Sequence, residues 1–144
     1  TIIPLLLEAG AQIDAQDKYG NTALMMASIN GHHTIIPLLL EAGAQIDAQD
    51  KYGNTALMMA SINGHHTIIP LLLEAGAQID AQDNGGYTAL ILASYSGKEA
   101  AVRELLKGNP NLDLKDEYGK TALDYARQEN HQSIVDLLVN HGRP

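Results

Sequence analysis

The sequence predicts an all-α solenoid of stacked helix–loop–helix units, and three observations carry that reading. Residues 1–50 reproduce residues 34–83 without a difference, which sets a 33-residue period. Each period holds two short apolar segments separated by glycine-bearing loops, and helices that short must stack on neighbouring units to bury their faces. With 45% hydrophobic residues in 144, the chain can build a core, yet its longest apolar run, IIPLLL, is six residues, far below the roughly 18 of a membrane span.

One unit, starting at Asp17, reads DKYGNTALMMASINGHHTIIPLLLEAGAQIDAQ. Asp17-Lys18-Tyr19-Gly20 is turn chemistry, because Asp bonds its own backbone and Gly accepts positive φ. Thr22 precedes AlaLeuMetMetAla, strong helix formers, and is placed to cap their first turn. Asn30-Gly31 stops that helix. A second helix begins at Thr34, read as its N-cap, with Ile35, Ile36, Leu39 and Leu40 forming one apolar stripe. Pro37 then falls in the first turn, where its missing N–H had no intrahelical partner. Ala42-Gly43 ends the helix, and Ala44-Gln45-Ile46-Asp47 leads to the next turn at Asp50.

The pattern DxxGxTALxxA, then Gly-His, then IIxLLL, then GAxI-D-A, repeated every 33 residues, resembles the ankyrin repeat over essentially the whole chain. The resemblance implies an ankyrin-repeat solenoid whose helix-loop-helix units are joined by β-hairpin-like turns. Residues 1–16 form a half repeat, 17–49, 50–82 and 83–115 full repeats, and 116–144 a C-terminal capping repeat. The divergent units keep the frame through Asp83, Gly86, Thr88 and Gly97, then Asp116, Gly119, Thr121 and His131. They also depart from it. The family's Thr-Pro-Leu-His is Thr-Ala-Leu-Met at Thr22 and Thr55, so the threonine–histidine hydrogen bonding is missing and looser helix starts are expected. Asp83-Asn84-Gly85-Gly86 shifts the tyrosine to Tyr87, with a more flexible turn expected.

Terminal units of an array need polar outer faces. Arg127, Gln128, Glu129, Asn130, Gln132 and Asp136 supply one at the C-terminal end. At the other end Ile2, Ile3, Leu5, Leu6 and Leu7 belong to a second helix without its first, which leads us to expect preceding repeats in a longer chain, or self-association through that edge.

Composition narrows the partners. Residues 1–83 hold nine acids and two bases, a net of −7, within a chain total of −8. That charge repels nucleic acid and anionic membrane surfaces. Cysteine is absent, which excludes disulfides and thiolate metal sites, and with no signal peptide or transmembrane segment the reading leans to the cytoplasm.

No GxSxG, HExxH, P-loop or GxGxxG occurs, so no residue is assigned a catalytic role and no cofactor is expected. His32-His33 and His65-His66 suggest a metal at first sight, but adjacent histidines do not share the i, i+4 face of helical zinc sites, and a role in bonding backbone is the better reading. The pairs Asp14/Asp17, Asp47/Asp50, Asp80/Asp83 and Asp113/Asp116 lack the alternating ligands of a calcium loop and read as turn builders. In Met25-Met26 and Met58-Met59, at least one of each pair reads as packing filler rather than as part of a soft groove.

Ankyrin-like arrays bind proteins on a concave surface of turn tips and first helices. Carried over, that surface is Lys18, Tyr19, Asn21, Ile29 and Asn30, repeated as Lys51, Tyr52, Asn54, Ile62 and Asn63. The third unit adds Asn84, Gly85, Tyr87, Tyr95 and Ser96, and the last adds Glu117, Tyr118, Lys120 and Gln128. Five of the six tyrosines fall there, Tyr125 being the exception, and Ile29 and Ile62 are expected to be exposed. The expected function is non-enzymatic binding of a protein partner. The alternative takes fifty unbroken identities as the point: an engineered or recently duplicated scaffold with no biological ligand.

Overall fold

The computed structural model describes residues 12–141, and these contain eight helices and no strand. They run as α1 Ala23–Asn30, α2 Ile36–Glu41, α3 Ala56–Ile62, α4 Ile68–Glu74, α5 Ala89–Tyr95, α6 Glu99–Lys107, α7 Ala122–Gln128 and α8 Gln132–Asn140. The two helices of each unit pack together, α1 with α2, α3 with α4, α5 with α6 and α7 with α8. The first helices α1, α3, α5 and α7 form one closely packed row, and α2, α4, α6 and α8 a second, looser one. The core runs between the rows, through Leu24, Met25, Ile36 and Leu39, then Leu57, Met58, Ile69 and Leu72, then Ile91, Leu105 and Ile134, all buried. The edge expected at Ile2 to Leu7 lies outside the described residues.

Every first helix starts on a working threonine cap. Thr22, Thr55, Thr88 and Thr121 have extended backbone, and each hydroxyl accepts from the backbone N–H three residues on, that of Met25, Met58, Ile91 and Asp124. At α7 Asp124 also accepts from the Thr121 N–H at 3.0 Å, closing a capping box. The threonine thus bonds the helix N–H directly in each unit, without the family's histidine.

The second helices correct the sequence reading. Thr34 does not cap α2, which starts at Ile36 from a helical Ile35, and Thr67, which precedes α4, is helical with no side-chain cap. The reason is the proline: counted from Thr34 or Thr67, the residue whose N–H would donate to the threonine is Pro37 or Pro70, which has none. Tight turns replace the cap, with the Ile35 N–H donating to His32 and the Ile68 N–H to His65. Pro37 itself lies in the first turn of α2, as expected.

The turns keep hairpin hydrogen bonding without strands. In each, the first Asp donates its N–H to the residue four on, and its Oδ1 accepts from the N–H groups two and four on: Asp50, for example, from Tyr52 and Asn54, both at 2.9 Å. Asp83-Asn84-Gly85-Gly86 makes the same bonds at 2.9 Å to Gly85 and Tyr87. Adjacent turns are tied directly, the N–H groups of Lys51, Asn84 and Glu117 donating to Tyr19, Tyr52 and Gly85. Gly53 shows how close they come: at φ 83°, a Cβ there would lie 2.9 Å from the Asn84 nitrogen.

The paired aspartates divide their work. While the second of each pair builds the turn, Asp14, Asp47 and Asp80 accept from the backbone N–H of Gln45, Gln78 and Asn111 at 2.8 to 2.9 Å, stapling one unit to the next. Histidines in the loops between paired helices do likewise, His65 after Gly64 donating from Nε2 to the Ile29 carbonyl at 2.8 Å and His131 after Asn130 to that of Tyr95 at 3.2 Å. Among the described residues no cluster of three or more His, Cys, Asp or Glu forms. No described helix is long and apolar enough to cross a membrane.

Candidate protein-binding face

The turn tips and the adjoining sides of α3, α5 and α7 meet in a pocket of about 550 Å³ lined by Ile62, Tyr87, Leu92, Tyr95, Tyr118, Lys120, Tyr125 and Gln128. Its existence depends on the third turn. Where the other turns carry Tyr19, Tyr52 and Tyr118, this one has Gly85, and a Cβ there would lie 2.6 Å from Glu117 Oε2 and 2.8 Å from the Tyr87 ring. The missing side chain lets Tyr87, two residues later, form one wall.

Tyr125 anchors the back of the pocket. Its ring stands edge-on to Tyr95 at 5.5 Å between centroids and tilted to Tyr87 at 6.4 Å. Its hydroxyl donates to the buried Asp116 carboxylate, which also accepts from the Tyr118 and Lys120 N–H groups at 2.9 and 3.0 Å. Burial pushes the Asp116 carboxyl up, but the Tyr125 and backbone hydrogen bonds and the Lys120 charge outweigh it, so the group sits below the ordinary aspartate range. Burial and the neighbouring carboxylate push the Tyr125 phenol far up, so it stays protonated as a donor. At Tyr87 the nearby Tyr125 hydroxyl acts downward, and burial with the Asp116 charge more than offsets it, leaving that phenol raised too.

Lys120 spans the pocket mouth, its Nζ 5.4 Å from the Tyr125 ring centre and hydrogen-bonded to Gln128 Oε1. Beyond the pocket the tips form a lysine–tyrosine ladder. Lys51 Nζ lies 4.8 Å from the Tyr19 ring and 5.0 Å from Tyr52, and Lys18 Nζ is 5.0 Å from Tyr19.

Most of the expected surface residues fall into three groups. Ile62, Tyr87, Tyr95, Tyr118, Lys120 and Gln128 come together in the pocket, and all but Tyr87 and Lys120 are exposed, Tyr118 at 68% and Ile62 at 36%. Lys18, Tyr19, Lys51 and Tyr52 make the exposed ladder. The asparagines are committed elsewhere: Asn21 and Asn54 bond Asp17 and Asp50 inside their turns, and Asn30 and Asn63 cap their own helices through the Met26 and Met59 carbonyls at 2.8 Å. Ile29 is half-buried rather than exposed.

Two lining residues, Tyr125 and Leu92, were missed. Both occupy the register of Met26 and Met59, one step after the buried Met25 and Met58. The signal was present in the methionine pairs, since only the first of each pair fills the core, and the second belongs to the same face as the pocket.

Comparison with known families agrees with this architecture. A family model described as ankyrin repeats (3 copies) matches residues 1–83 and 77–144. Among curated proteins, none matches. With the helix pairs, hairpin turns and 33-residue register in place over the described residues, the chain belongs to the ankyrin repeat family.

Proposed function

We propose that this protein is a non-enzymatic binding module that holds a protein partner on the face of turn tips and first helices, centred on the tyrosine pocket. Proteins of the ankyrin repeat family generally act as protein–protein interaction modules. The observation that carries the reading to these residues is the convergence of Ile62, Tyr95 and Tyr118, all exposed, around one cavity. Tyrosine offers large contact area with few rotors, and a cluster of such residues around a concavity has the character of a binding hot spot. The test is capture of partners by the full chain and by a triple variant carrying Ile62→Ala, Tyr95→Ala and Tyr118→Ala. Loss of capture with an unchanged melting temperature is expected; identical capture by both would contradict the assignment.

One observation favours a second reading. The identity of residues 1–50 with 34–83 extends to surface positions that drift diversifies, as in an array lengthened by copying, for which the purpose is structural and no ligand exists. Adding one more copy of residues 17–49 raises the melting temperature under either reading. A change of ligand affinity with copy number would argue against a purely structural purpose.

A further inference from the structure

We propose that the partner segment is acidic on one side of a bulky apolar residue: the apolar side chain enters the tyrosine pocket, and carboxylates lie over Lys18 and Lys51. The inference rests on the binding reading above and adds the chemistry of the occupant. In the two identical full units, residues 17–82, Lys18 and Lys51 are the only Lys or Arg residues, and both stand at turn tips on tyrosine faces. Neither forms an ion pair with a carboxylate among the described residues. Among the described residues the ion pairs between side chains are Arg103 with Glu99 at 3.3 Å and Lys107 with Glu104 at 2.7 Å, both on α6 in the other helix row.

Lys18 and Lys51 thus present ammonium groups at the turn tips, held over tyrosine rings rather than in an ion pair among the described residues. The corresponding tip position reads Lys18, Lys51, Asn84, Glu117 along the stack, so the cationic side chains of this row stand at one end, each next to its turn aspartate, Asp17 or Asp50. Successive tips are joined by backbone hydrogen bonds of 2.8 to 2.9 Å, which makes this row one continuous edge. A segment that seats an apolar side chain between Tyr95 and Tyr118 reaches the basic tips with the part of its chain that runs toward Tyr52. Against the net negative charge of this half, the two ammonium groups set the orientation of the segment locally, and carboxylates gain most over the Lys–Tyr ladder, where each ammonium is already positioned.

The probe is a random-peptide library displayed on phage and selected against the immobilised full chain. Enriched clones are expected to carry a bulky apolar residue with Asp or Glu within a few positions. Their binding should weaken about tenfold in a Lys18→Gln/Lys51→Gln variant, the scale of one or two charge contacts. Enriched clones that are neutral or basic, or that bind the double variant as well as the parent, would overturn the charge assignment while leaving the pocket in place. Clones insensitive to Tyr95→Ala, or no enrichment at all, would count against the binding reading itself and this proposal with it.

Discussion

The Tyr125 hydroxyl donates to the buried carboxylate of Asp116, joining helix α7 to the turn nine residues before it and holding the ring that backs the pocket. Asp116 keeps its two backbone donors when the hydroxyl is removed, so Tyr125→Phe should cost about 1 to 3 kcal/mol, the range for a hydrogen bond to a charged, buried group. Urea unfolding of the two chains measures it. A change within 0.5 kcal/mol would mean that the bond is replaced by solvent.

The same carboxylate makes a pH prediction. The Asp116 pKa is lowered in the folded chain, so the native state binds fewer protons than the unfolded state as pH falls. Its contribution to stability is present above the unfolded value of about 3.9 and is lost as pH drops through the folded value. Asp116→Asn should therefore show a shallower loss of stability between neutral pH and the acid limb. Asp17 and Glu99, also lowered, keep part of the slope in that variant. Identical pH profiles for the two chains would contradict the assignment.

The threonines separate by position. Thr55→Ala removes a real cap from α3 and should cost about 1 kcal/mol. Thr67→Ala, at a helical residue with no side-chain cap, should change stability by less than about 0.5 kcal/mol. Equal effects would restore the capping role that Pro70 rules out.

The serines on the first helices make a parallel test. Ser61 Oγ donates to the Leu57 carbonyl at 2.7 Å, whereas Ser94 Oγ, equally buried, has no hydrogen-bond partner among the described residues. Ser94→Ala should be neutral or stabilising, and Ser61→Ala should cost about 0.5 to 1.5 kcal/mol. Thermal unfolding of both variants decides it.

In the core, Leu72 is fully buried between α4 and its neighbours, and Leu72→Ala should cost about 2 to 5 kcal/mol through the cavity it leaves. A smaller loss would show that adjacent units close over the gap.

Much of this architecture was legible in the sequence because repetition multiplies weak signals. The Asp-to-Gly turns, the threonine caps at Thr22 and Thr88, and the apolar pair Ile36 and Leu39 each recur at a fixed offset, and the structure uses them in every unit. The cap expected at Thr34 fails because the N–H that Pro37 lacks is the one a threonine cap would use, although no intrahelical bond needs it. Part of the site was visible in the turn tyrosines. Tyr125 was not, since its role depends on Gly85 emptying the neighbouring tip and on Asp116 being buried, and neither relation is local in sequence.

The most direct test of the central claim is amide chemical-shift mapping of the full chain with a peptide recovered from the library selection. The account predicts perturbations concentrated at the turns 51–53, 84–87 and 117–120 and along the facing sides of α5 and α7. Perturbations concentrated instead on α6 and α8, with those turns unmoved, would contradict it.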